Sequence, residues 1–92
     1  MIKIFTTETF DKLFANLDKK IQIKAAKKTE VFKGNPFNQI LCTEKLHPKK
    51  FDVWCFRVDI NYRIIFKFLE RDKVLFMYIG HHNKIYNYDI FK

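Results

Sequence analysis

Three runs in the second half of the chain, Phe51–Val58 (FDVWCFRV), Tyr62–Leu69 (YRIIFKFL) and Lys73–Ile79 (KVLFMYI), are rich in β-branched and aromatic residues and separated only by Asp59-Ile60-Asn61 and Glu70-Arg71-Asp72. Runs of this kind bounded by turn residues form strands, so this part of the chain is confined to a three-stranded antiparallel meander. Three-residue loops would fix its register. They place Trp54 opposite Phe66, Phe56 opposite Ile64 and Val58 opposite Tyr62, and in the second ladder Phe68 opposite Val74, Phe66 opposite Phe76 and Ile64 opposite Tyr78. The even-numbered face is then apolar throughout and is expected to pack on helices. The odd-numbered face carries Val53, Cys55, Arg57, Arg63, Ile65, Lys67, Leu75, Met77 and Ile79, with Arg57 directly opposite Arg63.

The first half has a different period. Met1 to Phe5 alternates as a short strand does, and Thr7 followed by Glu8 and Asp11 has the pattern of a helix N-cap with acids in the first turn. Phe10, Leu13, Phe14 and Leu17 then form an apolar helical stripe, extended by Ile21, Ala25 and Phe32 until Gly34-Asn35-Pro36 ends it. A bend within 16–20 makes this a helical hairpin, and the period changes to two from Leu41 onward. The expected fold is α+β: an N-terminal strand and a helical hairpin packed on one face of a mainly antiparallel, twisted sheet of four to five strands. Residues 1–92 are read as a single domain.

Composition supports a core and narrows the setting. Hydrophobic types make up 48% and aromatic residues 17%, which excludes a disordered or collagen-like chain and allows a packed core without a disulfide. No run is long and apolar enough for a membrane span, and the amino end has no signal-peptide stretch, so a cytoplasmic protein with Cys42 and Cys55 reduced is expected.

The charge points to a partner. A net charge of +8 favours contact with a polyanion, and a nucleic acid is the first expectation. Lys20, Lys24, Lys27 and Lys28 form a helix stripe that is either a solvated face or a hold on RNA or an acidic partner. Two guanidinium groups on opposed residues repel, and a phosphate taking bidentate hydrogen bonds from both would turn that repulsion into a shared grip. Alternatively, one arginine reaches Asp59 or Asp52, or a different loop length separates the pair. Past the third strand comes Gly80-His81-His82-Asn83-Lys84-Ile85-Tyr86. Imidazole exchanges protons near neutral pH, so paired arginines with His and Tyr suit metal-free RNA cleavage by the ribose 2′-hydroxyl; the competing reading makes both histidines ordinary surface residues and Tyr86 a core cap. No metal or cofactor is expected. The chain lacks HExxH and CxxC spacing, adjacent histidines on extended backbone point to opposite faces, and no oriented Cys/His pair marks a thiol nucleophile.

The order of strand, helical hairpin, Glu44-Lys45-Leu46, Val53-Trp54-Cys55-Phe56-Arg57-Val58, Tyr62-Arg63-Ile64-Ile65-Phe66 and a closing G-x-H-x-x-x-Y resembles the RelE/ParE superfamily, toxins of bacterial type II toxin–antitoxin modules. The resemblance spans nearly the whole chain, from Met1 to about Tyr86. It implies a toxin with metal-independent endoribonuclease activity (an mRNA interferase) that cuts mRNA on the ribosome, inhibits translation, and is neutralised in a hetero-oligomer with a cognate antitoxin protein. By this likeness Arg63 and Arg57 hold the scissile phosphate, His82 is the general acid or base, and Tyr86 stacks on or orients the nucleotide. Lys45, His47, Trp54, His81 and Lys84 are further candidates for contacting substrate, with His81 an alternative for proton transfer. Some relatives carry lysines on the strand before the arginine hairpin; here Val53 and Cys55 take that face, which shifts weight to His82. The superfamily also contains ParE-type toxins that bind DNA gyrase without cutting RNA, and a basic partner-binding protein without catalysis is a further alternative. The G-x-H-x-x-x-Y ending favours the nuclease branch.

Overall fold

The computed structural model describes residues 1–84. It contains β1 (Lys3–Thr6), α1 (Glu8–Ala15), α2 (Lys19–Gly34), β2 (Glu44–Lys45), β3 (Trp54–Arg57), β4 (Tyr62–Glu70) and β5 (Lys73–His81), with single 3-10 turns at Gln39–Leu41 and Lys49–Phe51. The strands form one sheet in the order β1-β5-β4-β3-β2. β1 runs parallel to β5, and the other neighbours are antiparallel.

The local signals explain the boundaries. Thr7 Oγ1 accepts from the Phe10 backbone N–H at 3.0 Å and starts α1, Asp18 accepts from the Lys20 N–H at 3.0 Å and starts α2, and Asn35 with Pro36 closes it. Gln22 Nε2 donates to the Phe14 carbonyl at 2.8 Å, which ties the two helices together. The helices cover one face of the sheet, and Phe32 is the hub of the core between them. Its ring is fully buried and lies 4.9 Å from Phe56, 5.0 Å from Phe66 and 5.5 Å from Phe76, centroid to centroid.

The expected α+β architecture is present with five strands, and the first hairpin has the expected register, including Arg57 opposite Arg63. Three expectations are corrected. The β4–β5 connection is a two-residue turn, Arg71–Asp72, with an irregularity at Leu69, and this combination produces the register expected for Phe68/Val74 and Phe66/Phe76. Beyond Phe66 the ladder slips by one at Met77, so Tyr78 opposes Ile65 and Ile79, not Tyr78, opposes Ile64. Ile79 therefore leaves the odd-numbered face and joins the helix-side core, while the Met77 carbonyl accepts from Thr7 Oγ1 at 3.0 Å. Finally, β3 begins at Trp54. Phe51 lies in a 3-10 turn, as does Leu41, and the outer face is partly covered: Val53, Cys55 and Ile65 are buried there with Leu46, backed by Phe51 and Tyr78.

Candidate active site

The Asp59–Tyr62 turn between β3 and β4 organises the candidate site. Asp59 Oδ1 accepts from the backbone N–H groups of Asn61 and Tyr62, each at 2.8 Å, an Asx-type closure that holds the loop in one shape. Two groups bond to the carbonyls that this turn presents. Arg63 Nη1 donates to the carbonyls of Asp59, Ile60 and Tyr62 at 3.2, 3.3 and 3.3 Å. His82 donates its backbone N–H to the Asn61 carbonyl at 2.7 Å, and its ring Nδ1 lies 3.3 Å from the same oxygen. Because a carbonyl only accepts, a hydrogen bond there puts the hydrogen on Nδ1, and in the neutral ring this leaves the Nε2 lone pair available.

Arg57 faces Arg63 across the ladder and is exposed, and its side chain makes no hydrogen bond or ion pair among the described residues. Arg63 thus takes neither of the carboxylates weighed for it; it braces backbone carbonyls instead. Asp59 Oδ2 pairs with Lys24 Nζ of α2 at 3.3 Å, and Lys28 Nζ donates to the Val58 carbonyl at 3.3 Å. Burial pushes the Asp59 carboxyl up, but the two N–H donors and Lys24 outweigh it and leave the group below its usual value. On the same face Cys55 is 2% exposed. Burial, and then the neighbouring Glu44 carboxylate, push its thiol up to about 12 despite the opposing pull of Arg63 and Arg57, so it is no nucleophile near neutral pH.

No protein-family model matches the sequence, and no curated protein matches it either. Solved structures do match in three dimensions. A YoeB/ParE toxin from Agrobacterium tumefaciens superposes with a TM-score of 0.72 at 15% identity, over 88% of this chain and 99% of the other. A chain from the RelB-RelE antitoxin-toxin complex of Methanococcus jannaschii gives 0.72 at 21% identity, over 92% and 98%. YafQ from E. coli strain BL21(DE3) gives 0.71 at 16% identity, over 94% and 99%. The chain has the RelE/ParE toxin fold.

On this RelE/ParE fold the remaining candidate residues separate. His81 and His82 do not point to opposite faces as expected for extended backbone: the strand ends at His81, the chain turns through a Lys84 N–H to His81 carbonyl bond of 2.8 Å, and the two rings stack 4.7 Å apart. The His81 ring also packs edge-on to Tyr62 at 5.6 Å. With Lys84, Leu13, Leu17 and Ile79, His81 and Tyr62 line a cleft of about 240 Å³ at the end of α1. Lys45 and Trp54 are register partners at the far side of the sheet from β5, where the Lys45 ammonium lies 5.8 Å from the Trp54 ring and 3.2 Å from Asp52 Oδ1. His47 is exposed in the β2–β3 connection. Tyr86 lies outside the described residues. The structure therefore gathers Arg57, Arg63 and His82 around one hairpin end, with His81 beside them, and leaves Lys45, His47 and Trp54 apart. Asp59, Lys24 and Lys28 were missed as contributors. An Asp opening a tight loop is a readable signal for an Asx closure; a contact between α2 and that loop, more than thirty residues apart in sequence, has no local signal.

Proposed function

We propose that this chain is the toxin of a toxin–antitoxin pair and acts as a metal-independent endoribonuclease on mRNA bound to the ribosome. The observation that carries the reading is the convergence of the Arg63 guanidinium and the His82 imidazole on consecutive carbonyls of one turn, with the unpaired Arg57 opposite Arg63. In the proposed step the ribose 2′-hydroxyl attacks the adjacent phosphorus while a base takes its proton. The P–O5′ bond breaks, an acid protonates the leaving 5′ oxygen, and the products are a 2′,3′-cyclic phosphate and a 5′-hydroxyl. Arg57 and Arg63 would neutralise the charge that builds on the phosphorane oxygens. His82, through its free Nε2, is the proton carrier, and Tyr86 is assigned to orient the nucleotide by resemblance alone.

The antitoxin and the cellular setting belong to the same proposal. Similar folds occur in the RelB-RelE, DinJ-YafQ and YoeB-YefM complexes, and a basic surface suits a partner carrying acidic residues. A toxin acting on ribosome-bound mRNA would work in the cytoplasm, which is the setting this reading assigns. Purified protein added to programmed ribosomes should yield mRNA fragments ending in cyclic phosphate, and Arg63→Ala and His82→Ala should each lower the rate by about 10²- to 10⁴-fold. Intact mRNA with inhibited gyrase supercoiling would replace this reading with the ParE-like one, and unaltered rates in both variants would move the site elsewhere.

A further inference from the structure

We infer that Asp59, anchored by Lys24 of α2, is a positioning residue: its carboxylate sets the direction of the Ile60 carbonyl, one of the three that hold Arg63, and of the Asn61 carbonyl, which holds His82. The kinetic part of this inference rests on the nuclease reading above, whereas its structural part does not.

A trans peptide is planar, so its N–H and C=O point in opposite directions. The N–H of Asn61 shares a peptide plane with the carbonyl of Ile60, and the N–H of Tyr62 shares one with the carbonyl of Asn61. Asp59 Oδ1 draws both N–H groups inward at 2.8 Å, which turns both carbonyls outward. The Ile60 carbonyl then accepts from Arg63 Nη1 at 3.3 Å, and the Asn61 carbonyl takes the backbone N–H of His82 and its ring Nδ1. One carboxylate therefore orients the cation assigned to the phosphate and fixes the tautomer of the imidazole assigned to the proton.

The second carboxylate oxygen links the turn to the helical layer. Lys24 Nζ reaches it at 3.3 Å and Lys28 Nζ reaches the Val58 carbonyl at 3.3 Å, so α2 holds the loop at two points. Asp59 is largely covered, its side chain 17% exposed, whereas Lys24 is 55% exposed. The effect of Lys24 should accordingly be the smaller, since exposed ion pairs contribute little by themselves. Two of the four stripe lysines, Lys24 and Lys28, thus have a structural partner beyond any attraction to RNA. Lys27, also exposed on this helix, makes no such bond among the described residues and serves as the charge control.

The test compares Asp59→Ala, Asp59→Asn, Lys24→Ala and Lys27→Ala in two measurements. In single-turnover cleavage on programmed ribosomes, Asp59→Ala should lose about tenfold to a hundredfold in rate constant. Lys24→Ala should lose up to about fivefold. Ribosome affinity should stay within about twofold in both, and Lys27→Ala should cleave as wild type does. The Asn variant keeps an acceptor for the two N–H groups but not the charge for Lys24, and should fall near Lys24→Ala. In nitrogen NMR of the imidazoles, the neutral ring of wild-type His82 should be the Nδ1–H tautomer. Asp59→Ala should shift it toward Nε2–H, the form favoured in water. Equal losses in Lys24→Ala and Lys27→Ala, expressed as weaker ribosome binding, would overturn the proposal in favour of bulk charge. An unshifted His82 tautomer in Asp59→Ala would also overturn it. If Asp59→Ala does not fold, Asp59→Asn and Lys24→Ala decide by rate: a loss in both at unchanged ribosome affinity, with Lys27→Ala as wild type, supports the proposal, and wild-type rates in both overturn it. If the wild-type protein leaves RNA whole, the nuclease reading fails and the tautomer measurement alone decides this one.

Discussion

Replacing Arg57 and Arg63 one at a time with Met should change stability in opposite directions while both changes slow cleavage. Met keeps the length of the stem and removes the charge and every donor. Arg57 is exposed and meets a like charge on its register partner, so Arg57→Met relieves a repulsion of about 0.2 to 1 kcal/mol. Arg63 is half-buried and ties three turn carbonyls through one nitrogen at 3.2 to 3.3 Å. Arg63→Met relieves the same repulsion but deletes those bonds, for a net loss of about 1 to 2 kcal/mol. Urea denaturation reads both as shifts in midpoint at constant m-value. Salt separates the causes: raising it to about 1 M shortens the screening length to about 3 Å, which should erase the gain of Arg57→Met and leave most of the loss of Arg63→Met. Arg57→Lys keeps the repulsion and loses the bidentate fork, so it should leave stability unchanged and still impair cleavage. If Arg57→Met destabilises the fold, or if the two Met variants shift it alike, the division into a purely functional Arg57 and a dual-role Arg63 is wrong.

Two further outcomes follow from burial. Phe32→Ala removes the ring at the centre of the Phe56, Phe66 and Phe76 cluster and should cost about 3 to 5 kcal/mol in equilibrium denaturation, a large share of the roughly 5 to 15 kcal/mol of a small domain; a loss under about 1.5 kcal/mol would mean the helical layer is not seated on these rings. Cys55 has a folded pKa raised to about 12, above the roughly 8.5 of an unfolded thiol, so its contribution is complete below about pH 8.5 and is lost as pH rises toward 12. Cys55→Ala should flatten that alkaline decline, and a thiol reagent should label only the exposed Cys42 in the folded protein and both thiols once it is unfolded.

Much of the fold was legible because its signals are local. Thr7, the i, i+3, i+4, i+7 stripe and the Gly34-Asn35-Pro36 stop delimit the helices, and the apolar even-numbered residues identify the face beneath them. The cluster of Leu46, Val53, Cys55 and Ile65 was not legible. Its cover comes from the β2–β3 connection, whose short strand and 3-10 turn carry no period. Arg57 opposite Arg63 could be read because it depends only on the length of one tight loop. The grip of α2 on that loop depends on how a helix settles across the sheet, which no spacing encodes.

The slip at Met77 had the largest consequence for the site. An inserted residue leaves no mark on an alternating pattern when the residues after it, Tyr78 and Ile79, are apolar enough for either face. Distant contacts decide between them: the core accepts Ile79, and Thr7 Oγ1, seventy positions earlier in the chain, takes the Met77 carbonyl. Without the slip, the regular ladder would run Arg63 against Ile79 and bring His81 to Asn61. With it, Arg63 faces Gly80, Tyr62 faces His81, and the Asn61 carbonyl goes to His82. Resemblance alone had singled out His82 over His81. The slip supplies a physical reason for that choice, because it determines which of two adjacent imidazoles shares the Asp59–Tyr62 turn with Arg63.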